Sequence, residues 1–382
     1  MANGKLHALK MPAWVLRNVG TIQKPGETGW MFKPLPTCGP DDVIGKVIAV
    51  AYCTTDISTI DGAMGQRPEN LTLGHECLIE IWEKGENVHA FEVGDKAIVP
   101  AAQKEMRTCR GLARWDYSNH IDGVFSQNVL VKNADDRLAH LPEKMKYEVG
   151  LAIGDVFTTG KTAVDRSMVK PGDTALVVGA TRSVGLSTVA CLRHGTEVDK
   201  IYGVGSSQAG TNLAKKWGAD EIIDYNNGPV IQQVKKLTGN NGVDVLINTG
   251  APAPEFAELF NEMLAPGGRA RNVGYFNPQK GDTIPLTVTG TLYGMGDKTI
   301  GFDLLDGGAE VTQKNLTFVL QNRNKFNLAD MFDIHYGPWH IPTMQGQMRK
   351  KDTNFIKTAA IIQEGDWDKL SDKLSKEEEQ QR

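Results

Sequence analysis

A cysteine, a histidine and a glutamate occupy positions that could hold a metal ion. Cys53 lies beside hydroxyls and an acid in CTTDIST, and His75 and Glu76 follow a glycine in LGHEC. Zinc binds thiolate, imidazole and carboxylate groups, and a catalytic zinc site keeps one position open for water or substrate. Taken singly, Cys53 could equally be a small core residue and His75 a hydrogen-bonded turn histidine. The remaining ligands of such a site would have to come from elsewhere in the chain.

A second stretch with chemical potential is the loop LVVGATRSVGLS, which follows a predicted strand and opens a predicted helix. The pyrophosphate of a dinucleotide binds at such a place, against the amides of the helix N-terminus. The spacing departs from G-x-G-x-x-G, because Thr181 stands where a second glycine is expected and the turn is one residue longer. A purely structural turn would look the same, but the surrounding alternation of strands and helices favours a nucleotide site. The candidate loop residues are Gly179, Ala180, Thr181, Arg182, Ser183, Val184 and Gly185.

The end of the next predicted strand indicates which dinucleotide would bind. NAD-binding folds place an acid there to hold the ribose 2′-hydroxyl, whereas this chain reads GVGSSQAG. Gly205, Ser206 and Ser207 would leave room for a 2′-phosphate and offer hydroxyls to it, which favours NADP. No basic residue stands at the strand end. Arg182, Lys215 or Lys216 could supply charge, although each also fits a solvated surface position.

The elements that must position these residues fall into two patterns. Up to about residue 158 the chain reads as strands and glycine-rich turns, which predicts a mainly β, barrel-like domain. Over residues 159–304 strands alternate with helices, which predicts a parallel sheet covered by helices on both faces. Residues 305–382 contain two predicted helices and a last strand that could return to the first domain. The charged tail DKLSDKLSKEEEQQR is expected to be solvated or frayed.

Composition excludes several classes of protein. The chain has 382 residues, 40% hydrophobic and 23% charged, with a net charge of −4. This composition suits a globular protein, and the charge does not favour nucleic acid as a partner. No apolar run approaches a membrane span, and MANGKLHALK lacks the apolar core of a signal peptide. The five cysteines are odd in number and irregularly spaced, so a reducing, cytoplasmic setting is expected.

Taken together, these features resemble a known family. The chain is similar to zinc-dependent medium-chain alcohol dehydrogenases over nearly its whole length, and especially to NADP-dependent secondary alcohol (isopropanol-type) dehydrogenases. The shared stretches are CTTDIST, LGHE, WDYSN with DGVF, IGDVFTTG, GVGS, KKLTGNNGVD, YGMGDKTI and FIKTA. The resemblance implies a GroES-like catalytic domain, formed by residues 1–158 and 305–382, and a Rossmann cofactor domain over 159–304.

The resemblance also implies a ligand set. The family's zinc is held by a Cys, a His and an Asp, which match Cys53, His75 and Asp155, and Glu76 matches an alternative ligand. Asp155 considered alone could instead cap the helix that begins nearby. Relatives with a structural zinc carry four closely spaced cysteines. Here Cys109 is isolated in RTCRGLARW, so one catalytic zinc per chain and no structural zinc are expected.

Catalytic roles follow from the same comparison. Thr55 matches the hydroxyl that bonds the substrate oxygen. Ser58 replaces a histidine that passes the proton outward, and it could relay a proton only through a water. Thr159 matches a residue near the nicotinamide, and Tyr225 one that contacts the 2′-phosphate.

The pocket residues are carried over in the same way, although ordinary core packing is the alternative for each. Tyr275 matches a residue shared by the cofactor site and the substrate cavity, and Met295 one near a subunit contact. The other positions matching the cavity lining are Ala101, Trp115, Leu304 and Leu305. This lining favours small apolar ketones and secondary alcohols, and the family implies a homo-oligomer, usually a tetramer.

The expected function is hydride transfer between NADP(H) and small secondary alcohols or ketones, with zinc as Lewis acid. Two alternatives remain open on the sequence. One is an aldehyde or polyol reductase of the same superfamily, because the size of a pocket is not readable from sequence. The other is a non-catalytic relative that binds nucleotide, which the altered phosphate loop and Ser58 would fit.

Overall fold

The computed structural model describes residues 10–21, 24–104, 115–276, 296–350 and 355–380. Within these ranges the chain forms three β-sheets and eleven α-helices. Two of the sheets, one of three strands and one of seven, are built mainly from the N-terminal part. The third, of six strands, lies in the middle of the chain.

The N-terminal part is mostly β, as predicted. Its strands are β1 (Lys10–Asn18), β2 (Glu27–Pro34), β3 (Val43–Tyr52), β4 (Leu71–Thr72), β5 (Glu76–Lys84), β6 (Lys96–Val99), β7 (Asn128–Val131) and β8 (Ala139–His140). The accompanying helices are α1 (Thr54–Ile60), α2 (Ala134–Arg137) and α3 (Tyr147–Gly154). The central strand β3 is rich in valine and isoleucine and almost wholly buried. Such residues pack well between neighbouring strands, and β3 pairs antiparallel with β5 and β7.

The middle of the chain forms the predicted parallel sheet. Its elements are α4 (Val156–Arg166), β9 (Thr174–Val178), α5 (Ser183–Gly195), β10 (Lys200–Val204), α6 (Gln208–Trp217), β11 (Glu221–Ile223), α7 (Val230–Thr238), β12 (Val243–Asn248), α8 (Ala253–Met263), β13 (Leu264–Asn272) and β14 (Thr299–Phe302). The strand order is β11-β10-β9-β12-β13-β14, and every pairing is parallel. This is the order of a Rossmann fold, whose ligands bind beyond the carboxyl ends of the strands where the order reverses. The fold-class prediction is confirmed.

Two details of this domain differ from the sequence expectation. The stretch PEFAELFNEMLAPGG is expected to form a helix that its proline-glycine pair stops, whereas α8 ends at Met263 and the pair itself already belongs to β13. Pro266 disfavours helical geometry in the residue before it, which explains the early stop. The strand β14 was not predicted, because its four residues carry no clear alternation.

The C-terminal part returns to the first domain. It contains α9 (Ala309–Gln321), β15 (Phe332–Tyr336), α10 (Ile341–Lys350) and β16 (Lys357–Ile361). Strand β16 pairs antiparallel with β3 and parallel with β15, so it completes the seven-stranded sheet. Short 3-10 helices lie at Tyr225–Asn227, Leu328–Met331 and Pro338–His340. The boundaries at 158/159 and 304/305 stay predictions.

The tail is expected to be solvated or frayed; it is not frayed, although the side chains of residues 371–380 are exposed or half-buried. Residues Asp366–Gln380 form helix α11. Trp367 and Leu370 are buried in the β-domain core, and the Trp367 indole N–H donates to the Val47 carbonyl oxygen at 2.9 Å. Leu374 packs on the same core. An apolar stripe at helical spacing thus anchors one face of a segment whose other face is charged.

No helix in the described ranges has the length and apolar character needed to cross a membrane. Cys38, Cys53, Cys77 and Cys191 carry free thiols. Cys109 lies outside the described residues, and the cytoplasmic setting stays a prediction.

Candidate metal and cofactor site

Helix α1 positions Cys53 through a capping box. Cys53 is the N-cap residue, and its Sγ accepts from the Thr55 backbone N–H at 3.5 Å. In return, the Asp56 carboxylate accepts from the Cys53 backbone N–H at 3.0 Å. Reciprocal bonds of this kind satisfy amides that the first helical turn leaves unpaired. The start of α1 therefore holds the thiol in one orientation.

The glycine before His75 has a steric reason. Gly74 has a φ of +89°, and a Cβ there would lie 2.4 Å from the Phe125 ring. The turn therefore requires glycine and delivers His75 into the interior, where it is 4% exposed.

One carboxylate connects the cysteine and the histidine. The second oxygen of Asp56 lies 3.1 Å from His75 Nδ1, while the first accepts from Cys53. A bond at Nδ1 directs the lone pair of Nε2 outward, the usual arrangement around a metal-bound histidine. Asp56 is fully buried and thus aligns two of the candidate ligands.

Asp155 sits at the break between α3 and α4. Its φ of −140° and ψ of −81° interrupt the helix, and its side chain makes no capping hydrogen bond to α4. The Asp155 side chain therefore does not cap helix α4, which was the alternative role considered for it. Its Oδ2 instead lies 3.8 Å from His75 Nε2. The N-terminus of α4 adds a partial positive charge that favours a carboxylate here.

The four predicted ligands converge. One ligand atom from each of Cys53, His75, Glu76 and Asp155 lies within 4.8 Å of the others. Burial opposes a charged imidazole, yet Asp56 and Cys53 outweigh it and raise the pKa of His75 well above its ordinary value. The surroundings therefore favour positive charge, and the donor set of thiolate, imidazole and carboxylate fits zinc.

Glu76 is also paired with a lysine from the far end of the chain. Lys357 Nζ donates to Glu76 Oε1 at 2.6 Å, and both side chains are almost fully buried. Burial raises the pKa of Glu76 to about 8, with Lys357 acting against that shift. Glu76 Oε2 is buried without a hydrogen-bond partner. A buried lone pair with no partner is costly, and it is compatible with the alternative-ligand role expected for Glu76.

The residues predicted to handle protons lie on α1, and the one predicted to lie near the nicotinamide is on α4. Thr55 Oγ1 is 3.5 Å from Cys53 Sγ. Thr159 is buried on the first turns of α4, where its hydroxyl donates to the Asp155 carbonyl oxygen at 3.0 Å. Ser58 is half-buried on α1. The catalytic roles of these residues stay predictions.

The predicted phosphate loop joins β9 to the N-terminus of α5. A Cβ at Gly185 would lie 2.1 Å from the Gly179 carbonyl oxygen, so this helix start needs glycine. Thr181 is buried, and it occupies the space that a Cβ at Gly205 or Gly210 would need. The threonine in place of the second glycine therefore packs inward, and the first-turn amides of α5 remain without intrahelical partners.

Arg182 Nη1 donates to the Phe355 carbonyl oxygen at 3.3 Å. Ala180 is buried, and Ser183 and Val184 begin the helix.

Ser206 and Ser207, which follow β10, have different hydrogen-bond partners. The Ser206 hydroxyl lies 2.5 Å from the Tyr225 hydroxyl, so two of the residues predicted to lie at the 2′-phosphate adjoin each other. Ser207 is 3% exposed, and its hydroxyl accepts from the Gly210 N–H as the cap of α6. Lys215 and Lys216 pair with Glu221 and Asp330, which favours the surface interpretation for both.

The predicted pocket residues have different environments. Ala101 and Leu305 are buried in one small cluster with Leu304 packed against it. Trp115 is 4% exposed, and its ring meets the His75 ring edge-on with centroids 5.8 Å apart. Tyr275 reaches across from the Rossmann domain and donates to the Ala63 carbonyl oxygen at 2.7 Å. Met295 lies outside the described residues.

Asp56 and Lys357 are the residues of this site to which sequence reasoning assigned no role. Asp56 had a local signal, because an acid three residues after a helix N-cap is typical of a capping box. Lys357 had none, since it meets Glu76 across 281 residues of chain.

Replacing Asp56 with asparagine is expected to weaken zinc binding about tenfold to hundredfold, the usual effect of losing such an outer carboxylate. Asparagine keeps the shape but offers one acceptor oxygen where two are used. The measurement is zinc affinity by competition with a chelator, compared with Asp61→Asn, which sits at the other end of α1 and pairs with Arg349. Equal affinity in the Asp56 variant and the unmodified protein would contradict this role.

Comparisons with known proteins agree with the geometry. An alcohol dehydrogenase GroES-like domain matches residues 39–143, and a zinc-binding dehydrogenase domain matches residues 183–313. The chain is 36% identical over 310 residues to the NADP-dependent isopropanol dehydrogenase of Thermoanaerobacter brockii, covering 78% of this chain and 86% of the relative. It is 34% identical over 358 residues to the enzyme of the same name from Entamoeba histolytica, covering 90% and 96%.

Solved structures show the same fold at low identity. Alcohol dehydrogenase TADH from Thermus sp. ATN1 matches with a TM-score of 0.76 at 20% identity, over 92% of this chain and all of that chain. Benzyl alcohol dehydrogenase from Acinetobacter calcoaceticus matches with a TM-score of 0.76 at 22% identity, over 93% and 99%. The resemblance inferred from the motifs is confirmed, and the chain belongs to the zinc-dependent alcohol dehydrogenase family of oxidoreductases.

Proposed function

We propose that the protein is an NADP-dependent, zinc-dependent dehydrogenase of small secondary alcohols that also reduces the corresponding ketones. The observation that carries the proposal is the convergence of four ligand atoms within 4.8 Å, from Cys53, His75, Glu76 and Asp155. The names of the relatives from T. brockii and E. histolytica support the choice of substrate and cofactor.

One zinc ion per chain would be held by Cys53, His75 and Asp155, with Glu76 as the alternative ligand. When bound, zinc would polarise the carbonyl or alcohol oxygen, while the nicotinamide cofactor exchanges hydride with the adjacent carbon. Asp56 keeps His75 in the tautomer that presents Nε2 to the site. The buried Lys357 offsets part of the negative charge of Asp56, Glu76 and Asp155.

Proton movement would begin at Thr55. Its hydroxyl lies beside Cys53 Sγ, where it could bond the substrate oxygen and hold the exchanging proton. Ser58, one helical turn further along α1, would continue the path through a water. Thr159 would orient the nicotinamide from the start of α4.

The cofactor would lie over the carboxyl ends of β9 and β10. Its pyrophosphate would bind the first-turn amides of α5, which lack intrahelical partners. The absence of an acid after β10, and the adjacent hydroxyls of Ser206 and Tyr225, support a 2′-phosphate there. The substrate would occupy the space lined by Ala101, Trp115, Leu304 and Leu305. A tetrameric assembly and a cytoplasmic location belong to the same proposal.

Turnover of a substrate panel tests the proposal. Acetone and 2-butanone should be reduced with NADPH faster than small aldehydes are, and faster with NADPH than with NADH. Purified protein should contain zinc and lose activity on treatment with a chelator. Equal rates with the two cofactors would remove the NADP assignment, and a preference for aldehydes would favour an aldehyde reductase. Protein without zinc and indifferent to chelators would indicate a non-catalytic relative.

A further inference from the structure

An arginine that the family ligand set does not use lies next to the predicted pocket. Arg67 belongs to the loop between α1 and β4. Its guanidinium carbon is 6.0 Å from the centroid of the Trp115 ring, at the outer limit of a cation–π contact. Trp115 in turn contacts the His75 ring. Arg67 is therefore two side-chain contacts away from a candidate zinc ligand.

The same loop carries the contact with the cofactor domain. The Tyr275 hydroxyl donates to the carbonyl oxygen of Ala63, four residues before Arg67. Burial raises the pKa of Tyr275, and the positive charge of Arg67 acts in the opposite direction. Partial burial lowers the pKa of Arg67 from its usual value. The guanidinium thus lies where the β domain, the Rossmann domain and the predicted pocket meet.

Arg67 has no carboxylate partner in the described part of the chain. Its Nη1 donates to the Gln66 carbonyl oxygen at 2.9 Å, and its Nε is buried without a hydrogen-bond partner. Several partly or fully buried arginines are matched to acids, among them Arg137 to Asp116, Arg269 to Asp173 and Arg349 to Asp61. A partly desolvated cation whose Nε–H is buried without a partner is unfavourable unless another group compensates it.

The chemistry that completes this environment is an oxyanion. The planar guanidinium presents parallel N–H donors that match the two oxygens of a carboxylate. On the basis of the proposed function, we propose that Arg67 binds an anionic group of the substrate, so that the pocket accepts small oxo acids alongside neutral ketones. The ketone oxygen would lie at the ligand cluster and the carboxylate would lie at Arg67, with Trp115, which contacts both His75 and Arg67, beside the substrate.

A matched pair of ketones tests the assignment. Acetoacetate and 4-methyl-2-pentanone have nearly the same shape and differ in charge at the end away from the methyl ketone. We expect kcat/KM with NADPH to be at least about tenfold higher for acetoacetate, since charge-assisted hydrogen bonds are worth that much. Arg67→Met should remove that advantage and leave 4-methyl-2-pentanone within about twofold, and Arg67→Lys should retain part of it.

Two controls accompany the experiment. Arg323→Met removes the same charge from an exposed position after α9 and should leave both ketones unaffected. A phosphate of NADPH is the other anion that could bind Arg67. NADPH affinity, measured by the fluorescence of the bound cofactor, shows whether Arg67 binds the cofactor or the substrate. A weakened NADPH complex in Arg67→Met, with an unchanged ratio between the two ketones, would place a cofactor phosphate at Arg67 and overturn the proposal.

The failure of this inference is distinguishable from failure of the proposed function. If the unmodified protein reduces 4-methyl-2-pentanone as well as it reduces acetoacetate, the anion site is refuted while ketone reduction stands. If neither ketone is reduced by zinc-containing protein with NADPH, both the function and the anion site are refuted.

Discussion

Replacement of Asp155 with alanine is expected to abolish tight zinc binding and to lower kcat/KM by at least about a thousandfold. The substitution removes one of the three expected ligands and its negative charge. It leaves Cys53 and His75, which are too few for a tight catalytic site. Glu76 Oε2 could replace the lost ligand only in part, because Lys357 pairs with Oε1 and offsets the charge of that carboxylate.

The measurements are bound zinc per chain and turnover of acetone with NADPH. Asp165→Ala is the matched control, since Asp165 lies on the same helix, is exposed and pairs only with Lys161 among the described residues. The fold should tolerate both changes, because Asp155 makes no capping bond through its side chain. Full zinc and full turnover in Asp155→Ala would mean that Asp155 is not the third ligand, and Glu76→Gln would then be the decisive variant.

Replacement of Arg137 with methionine is expected to reduce the free energy of unfolding by about 3–5 kcal/mol, the usual effect of breaking a buried ion pair from one side. Arg137 is 3% exposed and donates to both oxygens of Asp116, each at 2.8 Å. Its guanidinium also lies 4.2 Å from the Tyr117 ring centroid. Burial alone would raise the pKa of Asp116, but the bonds from Arg137 outweigh it and lower that pKa. Without Arg137, a charged group would remain buried and uncompensated.

The loss is also expected to reach the pocket. Asp116 adjoins Trp115, and Arg137 further contacts the Pro100 carbonyl oxygen beside Ala101. The two segments that carry these pocket residues are therefore joined by one guanidinium, and KM for small ketones should rise in Arg137→Met.

Chemical denaturation of the variants checks the size of the effect. Lys314→Met is the control, because Lys314 and Glu310 form an exposed pair on α9 and such pairs contribute little to stability. If Arg137→Met does not fold, adding Asp116→Leu should restore folding, since removing both charges avoids the unpaired carboxylate. A single variant as stable as the unmodified protein would contradict the importance of this pair.

The sequence by itself supplied the candidate ligands and the class of the fold. Ligand chemistry pointed to Cys53 and His75, and the resemblance to the family added Asp155 before any coordinates. The alternation of apolar strands and helices along 159–304 reflects local periodicity, and a parallel sheet follows from it. The match of several motifs to one family strengthened both conclusions.

Only the tertiary structure decided which groups surround those ligands. Asp56 aligns Cys53 and His75 because a helix cap meets a distant turn, and Lys357 reaches Glu76 across 281 residues. Ser207 caps helix α6 by accepting from the Gly210 N–H, whereas Ser206 adjoins Tyr225. The tail forms α11 because three apolar side chains find a core that sequence periodicity alone does not reveal. Arg67 lacks an acidic partner in the described part of the chain, a fact visible only after folding. The Asp56–His75 contact, the Lys357–Glu76 pair and the docking of α11 join residues far apart in sequence, and no local propensity encodes such contacts.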